Sequence, residues 1–462
     1  TALSRKSWLY ILGMVVLVWN AYYITVLTIY MKKNTMKTSV SPLIKLAVLS
    51  PIILHLLTAC QTNPLTTPSN TGSGSSNIVI NQPVNETQQR QTLDSIQRFN
   101  ADFYREINTA SNDKNQFYSP FSLYTAMGML YQGSNGQTAN EIAKVLHADN
   151  ANVLAQVSQQ LMTDINQPNS DYTLKSANGL WVQKNYPIKP SYQNTLANNY
   201  LAQVTNLDFI GQSRQATNII NNYIANQTNQ KIQDLLSPDA IHADTRVILT
   251  NAVYFKSDWA TPFNKRMTQL NDFTLTDGSK VKVPMMRQTS FFRYGENADM
   301  QIVTLPYRGD KLAMTIILPK ASLANIEKSL SADTLKAWHS LQSNAEVNLF
   351  LPSFKLETSY GLNDTFRNLG MPTAFSNMAD FSGITTQEKL AVSDIIHKAF
   401  IEVDETGTEA AAATGITVSV TSAIIDPIPP KTFRADHPFI FMIEDTRNGN
   451  VLFMGKVMNP KQ

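Results

Sequence analysis

A chain of 462 residues, 43% of them hydrophobic, can bury a substantial core and is long enough for two or three average domains or one large unit. Its formal charge of +3 is small and no block of Lys and Arg stands out, which argues against a nucleic-acid footprint or a strong polyanion site. Cys60 is the only cysteine, so an intrachain disulfide and a multi-cysteine metal site are excluded.

Residues 8–30 carry no charge and are flanked by Arg5-Lys6 and Lys32-Lys33, a length that could cross a bilayer. A second pattern follows: a basic start at Met36-Lys37, an apolar run over residues 43–57, and Leu57-Thr58-Ala59-Cys60. It resembles a bacterial lipoprotein signal peptide, in which the cysteine thiol receives a diacylglyceryl group. Met31 or Met36 would make a natural start, so residues 1–35 read as upstream or extra apolar sequence and residues 36–60 as the signal. Cys60 is then the lipidation site, which implies a membrane tether in a bacterial cell envelope, at the outer membrane or cell surface. Residues 61–92 are rich in Asn, Gln, Ser, Thr and Pro and read as a flexible tether to a folded domain over residues 93–462.

That domain opens with an amphipathic helix, because from Thr92 onward Leu93, Ile96, Phe99, Phe103 and Ile107 recur at threes and fours. Residues 115–127 read as a short strand and a Ser-capped helix, and residues 133–142 as a Gly turn and a second capped helix. Residues 174–183 read as a buried strand, residues 216–236 as a helix, and residues 247–259 as a strand buried on both faces. Residues 273–275, 281–286, 291–294, 301–306 and 312–318 alternate with Gly and Asp turns, as in a mostly antiparallel region. Residues 347–352, 366–371 and 390–400 follow, and no internal repeat is evident.

A hydrolytic reading can be built on Ser122, His397 and Asp394, but no Gly-x-Ser-x-Gly elbow surrounds a serine and no pair among the six histidines has metal-ligand spacing. The stretch over residues 402–425 is more informative. Thr408 to Thr414 carry small side chains except Glu409, and Ile416 to Val420 alternate β-branched residues with Thr and Ser, so as a strand the segment would put Thr408, Ala410, Ala412, Thr414, Ile416 and Val418 on one face. The run Asp404-Glu405-Thr406-Gly407-Thr408-Glu409-Ala410-Ala411-Ala412-Ala413-Thr414 closely resembles the hinge of the reactive-centre loop of inhibitory serpins. His437-Pro438-Phe439-Ile440-Phe441 with residues 449–455 resembles the carboxyl-terminal signature of that family, and residues 115–142 its amino-terminal motif. The resemblance runs over roughly residues 94–460.

What it implies is an α+β serpin fold: a large, mainly antiparallel central sheet, further sheets, about eight or nine helices and an exposed reactive-centre loop. The protein would be a monomer without cofactor, metal or nucleic-acid partner, and no enzyme but a suicide-substrate inhibitor of serine, or also cysteine, endopeptidases. A non-inhibitory binding protein whose loop is only cleaved is the alternative. Ser119, Ser122, Asn251 and His397 match the family's shutter, a buried hydrogen-bond cluster under the main sheet. Trp259 matches the breach tryptophan, where the loop first inserts, although a large core aromatic is an equally good reading of it. Glu405 usually pairs with a basic residue after the proline matching Pro352; Ser353 occupies that place here, with Lys355 two residues on. Counting along the loop puts the reactive bond at Thr421-Ser422, or at Ile424-Ile425 when counted back from His437. No Lys, Arg, Phe or acidic residue lies in residues 418–425. That favours elastase-like serine proteases, leaves papain-like cysteine proteases open, and disfavours trypsin-like ones, whose buried carboxylate would find no cation.

Overall fold

The computed structural model describes residues 84–110, 113–166, 171–387, 389–408 and 429–461. The apolar segments, Cys60, most of the tether, hinge positions Glu409 to Thr414 and both reactive-bond placements lie outside these residues. Among the described residues no helix is long and apolar enough to cross a membrane.

The first helix, α1 (Glu86–Ala110), buries Ile96, Phe99, Phe103 and Ile107 as their spacing requires. It begins at Glu86 rather than near Thr92, because Asn85 and Gln88 cap it reciprocally: the Gln88 amide donates to Asn85 Oδ1 at 2.9 Å and the Asn85 amide to Gln88 Oε1 at 3.1 Å. Next come β1 (Gln116–Tyr118), α2 (Pro120–Gly133), α3 (Gly136–Val145), α4 (Ala151–Asn166), β2 (Tyr172–Gln183), α5 (Pro190–Tyr200), β3 (Gln203–Leu207) and α6 (Ser213–Gln227). The helix expected to reach residue 236 stops at Gln227, since Asn229 and Gln230 take positive φ of 52° and 62°. Ile232 keeps the helical spacing but is buried from an irregular segment, its amide donating to Thr228 Oγ1.

The chain continues through β4 (Val247–Asp258), β5 (Gln269–Thr274), β6 (Lys280–Glu296), β7 (Met300–Pro306), β8 (Leu312–Pro319), α7 (Leu323–Ser329), α8 (Ala332–Ser340), β9 (Ser343–Pro352), β10 (Phe354–Gly361) and α9 (Asn363–Leu369). It closes with β11 (Asp394–Val403), β12 (Gly407–Thr408), β13 (Lys431–Arg434), β14 (Phe439–Asp445) and β15 (Asn450–Val457). Residues 281–286 and 291–294, expected as separate strands, are one long strand, β6, because β9 pairs with it continuously from Met285 to Tyr294.

Two sheets result. One has nine strands in the order β1-β15-β14-β8-β7-β6-β9-β13, with β5 on β6; the other has six, β10-β11-β12-β4-β2-β3. The inner helix α2 is buried on almost every side, which suits its near-continuous apolar sequence, and it packs between β4 and β15. In the smaller sheet β4 and β11 run parallel and pair directly from Ile248–Asp394 to Tyr254–Phe400. Beyond that point they part, and β12 lies between them, antiparallel to both.

Candidate functional site

The site forms where that pair of strands parts. After β11 the chain reverses at Asp404, whose carboxylate accepts from the amides of Thr406 at 2.7 Å and Gly407 at 3.2 Å, and Gly407 then pairs with Asp258 and Thr408 with Ser257. A Cβ at Gly407 would lie 2.1 Å from the Ser257 carbonyl oxygen, so only glycine allows this approach. Thr408 is fully buried and its hydroxyl is 2.7 Å from that of Tyr307. Trp259 encloses the turn: its indole N–H donates to the Asp404 carbonyl at 3.0 Å, its amide donates to the Thr406 carbonyl at 2.8 Å, and its ring stacks on Tyr307 at 4.6 Å. Among the described residues no cation pairs with Glu405. Its carboxylate accepts from the Thr268 hydroxyl at 2.7 Å, the Ser353 amide donates to the Pro284 carbonyl, and the Lys355 ammonium lies 5.2 Å over the Phe400 ring.

Further along the parallel pair lies a buried polar cluster. The structure brings Ser119, Ser122, Asn251 and His397 together from the start of α2, from β4 and from β11. His397 Nε2 accepts from the Ser119 amide at 3.2 Å, which leaves the proton on Nδ1, donated to Asn251 Oδ1 at 2.6 Å. The Asn251 amide nitrogen donates to Ser122 Oγ at 2.5 Å and to Asn178 Oδ1 at 2.6 Å. Ser122 Oγ is 3.2 Å from Ser176 Oγ, and Ser119 Oγ donates to the Leu452 carbonyl at 2.6 Å while accepting from the Ser122 amide as the cap of α2. Every member is paired, as a buried polar group must be. His397 and Asn251 face each other in register, so their bond crosses the β4–β11 pairing itself.

Residues 94–460 match the model of the serpin family, described as serine protease inhibitors. This chain belongs to the serpin family. A serpin-like protein of Thermococcus kodakarensis is 40% identical over 379 residues, covering 81% of this chain and 87% of that protein. The leukocyte elastase inhibitor of Sus scrofa is 36% identical over 374 residues, covering 79% and 98%. Human thyroxine-binding globulin, solved with its hormone, superposes with a TM-score of 0.74 at 28% identity, covering 81% of this chain and 99% of that one.

In this serpin the imagined triad does not assemble. Both ring nitrogens of His397 are committed to Ser119 and Asn251, while Asp394 sits three residues earlier on β11, accepts from Asn363, and has its pKa raised by burial. Sequence reading missed Ser176, Asn178, Tyr307 and Thr268. A signal for the first two existed, since polar residues inside a strand read as buried demand partners, and Asn178 is fully buried. Nothing local marks Tyr307 or Thr268, which reach the hinge from distant segments.

Burial drives the His397 pKa down from 6.5 to about 3, so the folded serpin keeps this ring neutral through a range in which the unfolded chain binds a proton. Stability from this residue is therefore complete above pH 6.5 and declines as pH falls towards 3, by about 1.4 kcal/mol per pH unit. Denaturant titrations should show a wild-type slope between pH 6 and pH 4 that is steeper than that of His397→Gln by this amount. Parallel profiles would mean that the ring is not held neutral.

Proposed function

We propose that this serpin is a suicide-substrate inhibitor of endopeptidases, of the serine class first, acting by insertion of its cleaved loop along the β4–β11 pairing. The observation that carries this reading is the seated hinge: Gly407 and Thr408 already form a strand between β4 and β11. The register defines where further residues would go. Thr408 pairs with Ser257 on one side and Val403 on the other. Continuing antiparallel to both strands, residues 409–417 run opposite residues 256–248 of β4 and 402–394 of β11. Thr414 then falls between Asn251 and His397, where its hydroxyl takes over the hydrogen bonding that insertion breaks. The polar cluster acts as a latch whose two arrangements are both satisfied.

In the reaction the protease nucleophile attacks the Thr421 carbonyl and expels the Ser422 amine, leaving an acyl-enzyme. The freed segment replaces one parallel ladder with two antiparallel ones, and the acylated protease is carried with it before water can complete hydrolysis. Each added backbone bond contributes about 0.5–1.5 kcal/mol net. Small residues at 410–413 enter without forcing a large or charged group into the sheet.

Incubation with a panel of serine and cysteine proteases, followed by denaturing electrophoresis, tests the reading: a covalent band at the summed mass is expected with elastase-like enzymes and not with trypsin-like ones. The released carboxyl-terminal fragment should begin at Ser422. A start outside residues 419–426, or cleavage with no band and no gain in heat stability, refutes the assignment. Thr408→Arg should turn inhibitor into substrate. The change removes the Tyr307 hydrogen bond and forces a charge against a buried site, and each 1.4 kcal/mol on the insertion barrier slows it about ten-fold. Trapping at the wild-type stoichiometry would show that insertion does not pass through this position.

We also propose that Cys60 carries a lipid tethering the inhibitor in a bacterial envelope. The proposal rests on the residues preceding it, Leu57-Thr58-Ala59. Cells grown with labelled palmitate should mark the wild type and not Cys60→Ala, and equal labelling removes the anchor.

A further inference from the structure

The nine-stranded sheet has an outward face at β6, β9 and β13 whose side chains take no part in the hinge; Phe350 lies buried at its base, with the core, at 9% exposure. Register aligns three rows across it: Arg287, Phe350 and Arg434; Thr289, Asn348 and Thr432; and Phe291 with Glu346. The intervening residues Val347, Leu349, Leu351 and Phe433 are fully buried, so the aligned set points the other way. Phe350 lies between two guanidiniums, with the Arg434 carbon 3.5 Å and the Arg287 carbon 5.2 Å from its ring centre. Among the described residues neither cation meets a carboxylate. Within the same residues the Arg287 guanidinium donates only through Nε, to Asn348 Oδ1 at 3.2 Å, and the Arg434 guanidinium makes no hydrogen bond or ion pair. Phe291, an aromatic ring 67% exposed, completes the face, and the one carboxylate in these positions, Glu346, stands beside it and away from the arginines.

Stacking on Phe350 holds both guanidiniums in place without consuming their terminal N–H donors, the arrangement suited to bidentate capture of carboxylates. Two cations are few for a nucleic-acid or sulfated-polymer track, and an exposed Phe is foreign to one. An aromatic ring next to unpaired arginines is instead the composition of a protein-binding patch. Its place indicates the partner. β13 is the first strand after residues 409–428, so whatever grips that segment is delivered beside this face.

We infer that the outer face of β6, β9 and β13 is a secondary docking surface for an acidic patch on the target protease. The inference rests on the inhibitor reading above. It accelerates encounter and orients the protease, whereas the loop sequence determines which bond is cut.

The test uses the full chain and two serine proteases of the same small-apolar specificity, one with a net negative surface and one with a net positive surface. Arg287→Gln with Arg434→Gln keeps the aliphatic stems on Phe350 and removes the charge. Against the negative protease its association rate should drop about ten-fold at about 0.05 M NaCl and come within about two-fold of wild type at about 1 M. Against the positive protease it should not drop, and the fragment start and trapping stoichiometry should stay unchanged. Arg287→Lys with Arg434→Lys should recover most of the rate. Phe291→Ala, at an exposed position harmless to folding, should slow docking about equally at both salt concentrations because apolar contact is not screened. A covalent band formed at wild-type rate by the Gln pair overturns the surface while leaving the inhibitor reading intact. Loss of binding to heparin or to anionic phosphatidylglycerol vesicles with unchanged trapping rates assigns the face to polyanions and also overturns it. If no protease forms a covalent band with the wild type, the inhibitor reading fails and this surface loses its partner with it.

Discussion

The parallel pairing of β4 with β11 is the constraint on which the rest of the structure depends. The two strands are separated in sequence by more than a hundred residues that build much of the second sheet, and they meet side by side without a direct connection. Between two parallel strands there is room for one that runs antiparallel to both, and antiparallel ladders are slightly more stable per residue than parallel ones. The sheet is thus complete as it stands, and β12 occupies two positions where β4 and β11 part.

The insertion proposed above needs a sheet that also resists accepting a strand too early. On that proposal the polar cluster supplies the resistance, because its central bond, His397 to Asn251, joins the two strands that would separate. Breaking it in a buried setting costs about 1–3 kcal/mol unless a new partner arrives. The cluster is anchored away from the pairing as well: Ser119 caps α2 and bonds the Leu452 carbonyl on β15, which couples the six-stranded sheet to the inner helix and the other sheet. At the other end Trp259, Tyr307 and Gly407 hold the chain reversal close against β4. Stacking of this kind adds about 0.5–1.5 kcal/mol beyond the area that the rings bury.

The two sheets flank residues 409–428 in the chain. The six-stranded sheet receives the chain at Thr408, while the nine-stranded one carries the segment's far end at β13, where guanidiniums, an aromatic ring and hydroxyls face outward.

Much of this was legible in the amino-acid sequence. Hydrophobic periodicity determined the inner helix, the buried strands and α1, because burial of one face or of all faces leaves a pattern of period 3.6 or 2, or an unbroken apolar run. Gly407 and the small residues around it, Glu409 excepted, marked a segment able to enter a tight space, and the family motifs pointed to Ser119, Ser122, Asn251 and His397 as one cluster and to Trp259 as a separate position. The tertiary structure decided what short-range pattern does not contain. It ended α6 at Gln227, because backbone at Asn229 and Gln230 turns into the left-handed region while the apolar spacing runs on; it joined two short strands into β6, because β9 pairs across both. It gave Glu405 a hydroxyl in place of a cation, chose Asn178 and Tyr307 as partners, and set Arg287, Phe350 and Arg434 in one row from strands more than sixty residues apart in sequence. Those choices depend on strand register and on which distant segments meet, and no local periodicity encodes either.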